Sequence, residues 1–183
     1  MSDTPLEPFD YANPAHQEEL AQLRKSILER DLSFAEKGEF ELPALSVMHS
    51  DRSIGIWLFD APFTNCLSQA LASTLGGGKH VVQVLFTFEA WVSVGIDGNP
   101  PISPPSADPN RKEGLLFMNF WISEDGSIKF EPSTYLISGE APSRTLTPYS
   151  REDKGSFSGN FYDRLRTFLE LTRVPLHKST TTS

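Results

Sequence analysis

The segment "HVVQVLFTFEAWVSV", residues 80–94, is the clearest β-strand in the chain. Its side chains alternate between an apolar set and a mixed set, which is the two-residue period of a strand. The apolar set comprises Val82, Val84, Phe86, Phe88, Ala90 and Val92. The mixed set comprises Val81, Gln83, Leu85, Thr87, Glu89, Trp91 and Ser93. We expect the apolar face to contact helices and the mixed face to be partly exposed.

Two helices and a hairpin precede this strand. Apolar residues at three- and four-residue steps predict a helix from Ala15 to the stop at Gly38. Two short apolar runs flank residues 49–52, as in a β-hairpin. A second helical pattern begins at Phe63 and ends at the glycines of residues 76–78.

Strands and a last helix follow it. A proline-rich loop runs from about Gly95 to Lys112, before the strand "GLLFMNFWIS" of residues 114–123. The pair Asp125-Gly126 predicts a hairpin turn into the strand of residues 127–138. Residues 139–156 are expected to be a loop, and residues 158–173 have the apolar spacing of a helix.

This order of elements predicts an α+β fold, with a mainly antiparallel sheet of about five strands and helices packed on one face. We expect an N-terminal arm in residues 1–14, a single domain in residues 15–175 and a flexible C-terminal tail in residues 176–183.

Composition limits the partners. The 183 residues carry 16 basic and 24 acidic side chains, a formal net charge of −8. This balance disfavours direct binding to nucleic acid or to an anionic membrane. The acidic, polar start lacks the character of a secretory signal, and no apolar run reaches transmembrane length. We therefore expect a cytoplasmic protein, in a bacterium or an infected host cell.

The motifs of metal, cofactor and nucleophile chemistry are missing from the sequence. The four histidines stand far apart and in no ligand spacing, so we expect no metal and no cofactor. The single cysteine, Cys66, precludes an internal disulfide, and its position on a predicted helix favours a small buried side chain over a reactive thiol.

Charged and aromatic residues gather where the proline-rich loop joins its two strands. If these strands pair antiparallel, Glu89 and Glu113 come close together, with Arg111 or Lys112 as the expected ion-pair partner of Glu89. Trp91 and Trp121 share the mixed face. These residues are either cross-strand pairs that stiffen a hairpin or a binding surface formed by Glu89, Trp91, Arg111, Glu113 and Trp121.

The same region resembles a pattern in small bacterial and phage-borne proteins that have no assigned activity. In those proteins a valine-rich strand ends in Glu-Ala-Trp, and a proline-containing loop leads to Arg-x-Glu and an apolar strand. The matching positions here are Glu89, Trp91, Pro105, Pro109, Arg111 and Glu113. The resemblance implies that Glu89, Arg111 and Glu113 belong together, and it carries over no catalytic role.

Three functions are compatible with these observations. The favoured one is a non-enzymatic interaction or accessory protein, phage-encoded or an oligomeric structural component, whose partner is another protein or a second copy of the chain. The second is an enzyme that uses Glu89 and Glu113 as acid and base, with Arg111 holding an anion. The third is an acidic inhibitor that mimics nucleic acid.

Overall fold

The computed structural model describes residues 9–40, 42–59, 63–93, 105–149 and 160–173. In these ranges the elements are α1 (Pro14–Lys37), β1 (Ala44–His49), β2 (Ile54–Leu58), α2 (Phe63–Gly76), β3 (Val81–Val92), β4 (Lys112–Ile122), β5 (Ile128–Ser138), β6 (Thr145–Tyr149) and α3 (Asn160–Thr172). The strands form one antiparallel sheet in the order β2-β1-β3-β4-β5-β6. The predicted α+β class is confirmed, with six strands rather than about five.

Some predictions fall outside the described residues. They concern the first part of the N-terminal arm (residues 1–8), the proline-rich loop up to residue 104 and the tail of residues 176–183. No helix in the described ranges combines the length and the apolar character that crossing a membrane requires.

Local sequence fixes both ends of α1. The Asn13 side chain accepts a hydrogen bond from the Ala15 amide at 2.9 Å, and Pro14 occupies the first turn, where its missing N–H is no loss. Gly38 ends the helix with φ 72°, a left-handed conformation that favours glycine. The predicted stop at Gly38 is confirmed.

One face of the sheet packs against α2 and α3. Val84 and Phe86 of β3 and Phe120 of β4 are buried there with Leu165 and Phe168 of α3. Burying a side chain of this size contributes about 2–3 kcal/mol. This face is the apolar face of β3, as predicted.

The opposite face is covered by α1, so the prediction that helices pack on one face alone is wrong. Leu85 and Phe117 of the mixed face form a cluster with Ile27 and Ala35 of α1. The polar residues below α1 are buried in pairs: Gln83 Nε2 donates to Asn119 Oδ1 at 2.7 Å, and both side chains are at most 3% exposed. A mixed face therefore need not be an exposed one, because polar side chains can hydrogen-bond each other across neighbouring strands. The pairing is incomplete, since Gln83 Oε1 and Asn119 Nδ2 are buried without a hydrogen-bond partner among the described residues.

The start of β3 departs from simple alternation. The pairing of β1 with β3 shifts register between Met48 and His49. Val82 consequently packs with Met48 and Leu20 on the α1 side, whereas Val81 lies in the cluster of α2 and α3. An irregularity of this kind reverses the face to which a side chain belongs.

The sixth strand lies within residues 139–156, all of which were expected to be loop. Thr145 and Leu146 of β6 pair with Ser138 and Ile137 of β5. Glycine, serine and proline around this segment are typical of a loop, which is why the strand was not predicted. Pro148 is compatible with a strand here because β6 lies at the edge of the sheet.

Candidate binding site

The β3–β4 pairing brings three of the five predicted site residues to one end of the sheet. Trp91 lies opposite Glu113, and Glu89 lies opposite Leu115. Residues at two-residue intervals share a face, so Glu89, Trp91 and Glu113 are all on the side covered by α1. Arg111 immediately precedes β4 at the same end.

The ion-pair partner of Glu89 is Arg144, not Arg111 or Lys112 as the sequence led us to expect. Arg144 Nη1 lies 3.4 Å from Glu89 Oε1, with side chains 22% and 25% exposed. Arg144 reaches this position because its own amide donates to the Glu36 carbonyl at the end of α1. The loop before β6 is thereby joined to α1 and to β3.

Burial raises the pKa of the Glu89 carboxyl above its usual value, Arg144 lowers it, and the negative charge of Glu113 raises it further. The direction of this shift shows that the fold disfavours the charged form of Glu89 relative to water. The arrangement can hold a proton more tightly than an exposed glutamate does.

Arg111 makes a different contact. Its guanidinium carbon lies 4.8 Å from the centre of the Trp91 ring, and Trp91 is 55% exposed. Arg111 Nη1 also lies 3.5 Å from the Pro105 carbonyl oxygen. A cation over an indole face is an attractive contact, so Arg111 favours the observed orientation of the tryptophan.

An open cavity of about 430 Å³ adjoins this pair. Its lining residues are Trp91, Ser106, Ala107, Asp108, Pro109 and Arg111. We call these six residues the Trp91 surface. Pro109 and the indole supply apolar contact area there, and Asp108 supplies a negative charge.

Trp121, the fifth predicted site residue, lies elsewhere. It is on the same face of β4 as Glu113 but eight positions along the strand, about 26 Å away at the usual rise per residue. The guanidinium of Arg24 lies over its ring at 5.1 Å, and Arg24 also pairs with Glu131 at 3.4 Å. The two tryptophans therefore share a face without forming one surface.

A polar network around Ser53 was missed by the sequence analysis. Ser53 Oγ donates to Asp51 Oδ1 at 2.5 Å and accepts from Lys79 Nζ at 2.6 Å. His49 Nδ1 lies 3.2 Å from the same oxygen, and His49 Nε2 lies 3.3 Å from Thr74 Oγ1. The segment His49-Ser50-Asp51-Arg52-Ser53 contains the signal, since three of its side chains can bond one another locally.

This network resembles a nucleophile with its base, but its hydrogen bonds are those of a turn. The Ser53 hydroxyl donates to Asp51, and that hydrogen bond holds the pKa of the Asp51 carboxyl at about 2. The Ser53 oxygen accepts from the Lys79 ammonium group, which occupies a lone pair that a nucleophile would need for attack. Burial lowers the pKa of the His49 imidazole. The cluster ties the β1–β2 hairpin to the start of β3 and is arranged for structure rather than for acyl transfer.

A buried acid on α1 was also missed. Asp31 is 2% exposed, accepts from Thr87 Oγ1 at 2.8 Å and pairs with Arg30 at 2.6 Å. It lies four residues after Ile27 and four before Ala35, so its spacing places it on the buried stripe. The hydrogen bond from Thr87 of β3 therefore connects α1 to β3.

Cys66 is buried in the cluster of α2 and α3. Among the residues that the structure describes, no three His, Cys, Asp or Glu side chains come together as a metal-binding group. A second cavity, of about 270 Å³, lies between α2 and α3 and is lined by Leu67, Leu71, Phe168 and Leu171 among others.

Comparison with protein-family models, with curated proteins and with solved structures gave no match for this chain.

Proposed function

We propose that the protein is a non-enzymatic interaction protein that binds another protein through the Trp91 surface. The observation that carries this proposal is an exposed indole, held by a guanidinium and adjoining a cavity. Tryptophan and arginine are the residue types most enriched among those that dominate protein–protein binding.

Preorganisation supports the same proposal. A side chain that is already held in place loses less conformational freedom on binding than a mobile one does. Arg111 contacts the Trp91 ring, and Pro105 and Pro109, which both precede Arg111, restrict the backbone of the segment that lines the cavity. A partner would meet a surface whose shape is largely formed in advance.

The chemistry of the surface indicates the kind of partner. The indole and Pro109 favour an apolar or proline side chain in the cavity. Asp108 and the nearby Glu113 favour a basic residue beside it. We therefore propose that the partner is a cytoplasmic protein, and that the segment it binds with carries an apolar side chain flanked by Lys or Arg.

One observation favours a second candidate, an enzyme in which Glu89 is the acid. The raised pKa of Glu89 and its proximity to the charge of Glu113 are arrangements found at acid–base sites. In this candidate Glu113 is the base, but Arg111 lies on Trp91 and Arg144 occupies the position beside Glu89. An anion clamp would therefore have to involve Arg144 rather than Arg111.

A site-specific cross-link tests the proposal in living cells. Ser106, which is exposed and lines the cavity, is replaced by a photo-crosslinking phenylalanine derivative. The matched control carries the same derivative at Ala72, an exposed position on α2. We expect one adduct of defined mass from the position 106 variant alone. Adducts that are identical from both positions, or absent from both, would contradict the proposal.

If the captured partner binds nucleic acid and its binding to this chain weakens steeply with salt, the acidic-mimic alternative is favoured instead.

A further inference from the structure

The open edge of the sheet at β2 has an unusual composition for an edge strand. Its sequence, Ile54-Gly-Ile-Trp-Leu58, contains no charged residue and no proline. Edge strands of soluble proteins are normally guarded by charges, prolines, bulges or a covering element, because their unpaired backbone groups can bind another strand. Among the described residues, β1 is the one strand that pairs with β2.

The opposite edge strand of the sheet, β6, has features that oppose pairing with another strand. β6 contains Pro148, and its Leu146 packs in the α1 cluster with Ile27 and Ala35. The two edges differ on the α1 side of the sheet: β2 has no proline, and although its Trp57 packs against the α2 and α3 cluster, its aliphatic side chains do not pack into the α1 cluster.

Three aliphatic side chains of β2 lie on one face and are exposed. Ile54, Ile56 and Leu58 are 47%, 49% and 61% exposed. We call them the aliphatic stripe. They are opposite Met48, Ser46 and Ala44 of β1, on the α1 side of the sheet. The Trp57 side chain points to the opposite face, with Leu45.

The residues of the aliphatic stripe also carry the backbone groups that face away from β1. His49 donates to the Ser53 carbonyl, and Phe59 donates to the Pro43 carbonyl. Bonded and non-bonded pairs alternate along an antiparallel ladder, so Gly55 and Trp57 bond to β1. The N–H and C=O groups of Ile54, Ile56 and Leu58 therefore point outward from the sheet edge.

From this geometry we propose that the β2 edge is a homodimer interface, at which β2 pairs antiparallel with β2 of a second copy about a twofold axis at Ile56. In that register Ile56 faces Ile56 of the other copy, and Ile54 faces Leu58. All three outward-pointing residues are then in bonded pairs, which gives about six backbone hydrogen bonds. The two six-stranded sheets become one continuous sheet.

Self-complementarity is what identifies the occupant as a second copy. The stripe is symmetric about Ile56 in chemistry and in spacing, so the twofold axis places aliphatic against aliphatic at every position. The neighbouring register centred on Gly55 would pair Ile54 with Ile56 and leave Leu58 opposite Arg52. The register centred on Ile56 alone uses the whole stripe.

Charge does not oppose this arrangement within the paired stretch. In the sequence the nearest charged residues are Arg52, two residues before Ile54, and Asp60, two residues after Leu58, so both stand outside residues 54–58. The chain has a net charge of −8, yet its uncharged β2 edge lets two copies approach there. This interface is separate from the Trp91 surface, so each can be tested without the other.

The test is the mass of the full chain in solution by sedimentation, over about 1 µM to 1 mM. We expect a concentration-dependent dimer. In the Ile56→Lys variant the twofold axis sets two ammonium groups against each other, which we expect to raise the dimer dissociation constant at least about 100-fold. Because residue 56 is half exposed, the fold should be retained, and near-UV circular dichroism checks this. The matched control is Leu171→Lys, at an exposed aliphatic on α3, which we expect to leave the dimer intact.

A mixing experiment tests the register itself. The Ile56→Lys and Ile56→Glu variants should each be monomeric alone, because like charges meet at the axis. Mixed in equal amounts, they should form a heterodimer, because opposite charges then meet. Three results would overturn the proposal: a wild-type chain that is monomeric at every concentration, a dimer that Ile56→Lys does not weaken, or a mixture that stays monomeric.

Discussion

Glu89 of β3 is paired with Arg144, which lies before β6 and 55 residues along the chain. The pairing joins β3 to the loop that packs on the end of α1, where the Arg144 amide donates to the Glu36 carbonyl. Glu89 is nevertheless in an environment that disfavours its charge. The two partners should therefore respond differently to mutation.

Glu89→Gln should leave the free energy of unfolding at pH 7 unchanged or slightly higher. The fold raises the pKa of Glu89, so the ionised Glu89 carboxylate destabilises the folded chain. This destabilisation is complete above the raised folded-state pKa, and it disappears as the pH falls to the unfolded-state pKa of 4.5. Arg144→Gln should instead lower the free energy of unfolding by about 1–2 kcal/mol, because it leaves a half-buried carboxylate without its partner. Urea denaturation measures both, and equal losses for the two variants would contradict this account.

The buried amide pair below α1 should behave as a unit. Asn119→Leu removes the acceptor of Gln83 Nε2, and we expect a loss of about 1–3 kcal/mol. Adding Gln83→Met should restore most of that stability, because both polar groups are then replaced by apolar groups of similar size. A double variant that is as unstable as the sum of its single variants would show that the pair is not coupled.

The turn at Arg52 gives a comparison within the chain. Arg52 and Gly126 occupy equivalent positions in the two hairpins, with φ 65° and φ 76°. Arg52 also pairs with Glu19 of α1 at 2.9 Å. In a Glu19→Gln background, Arg52→Gly should raise the free energy of unfolding by about 1 kcal/mol, because glycine adopts this conformation without strain. The control is Gly126→Ala, which should lower it by a similar amount.

Acid should weaken the hairpin network through His49. Burial lowers the folded-state pKa of His49 below its unfolded value of 6.5, so the unfolded chain binds the proton more tightly. The contribution of neutral His49 to the free energy of unfolding is complete above pH 6.5. It is lost as the pH falls from 6.5 through the lowered folded-state pKa of His49. Denaturation at a series of pH values should show this loss in the wild-type chain and a smaller one in His49→Gln. Identical pH dependence in the two proteins would exclude His49 as the cause.

The sequence predicted those elements whose signals are local. The strand of residues 80–94, the stop at Gly38 and the turn at Gly126 each follow from periodicity or from one conformationally special residue. The covering of the mixed face was not predicted, because composition does not reveal that Gln83 and Asn119 satisfy each other. The Arg144 partner of Glu89 was also missed, since its position depends on where a loop packs. The strand β6 was hidden among loop-forming residues.

The candidate site was predicted in part for the same reason. Antiparallel pairing of β3 with β4 brings Glu89, Trp91 and Glu113 together, which the sequence allowed us to expect. The stacking of Arg111 on Trp91 depends on side-chain geometry, and no spacing rule indicates it. Trp121 was grouped with Trp91 on the basis of face alone, without regard to distance along the strand.

The central claim is that the Trp91 surface binds a protein partner. The most direct test is to purify the partner that the cross-link identifies and to measure its affinity for the purified chain by titration. We expect Trp91→Ala to weaken binding at least about 30-fold, as for a residue that dominates an interface, and Arg111→Ala to weaken it less. Leu171→Ala, an exposed aliphatic on α3, should leave the affinity unchanged. Equal affinity of the wild-type chain and Trp91→Ala, with both proteins folded, would contradict the claim.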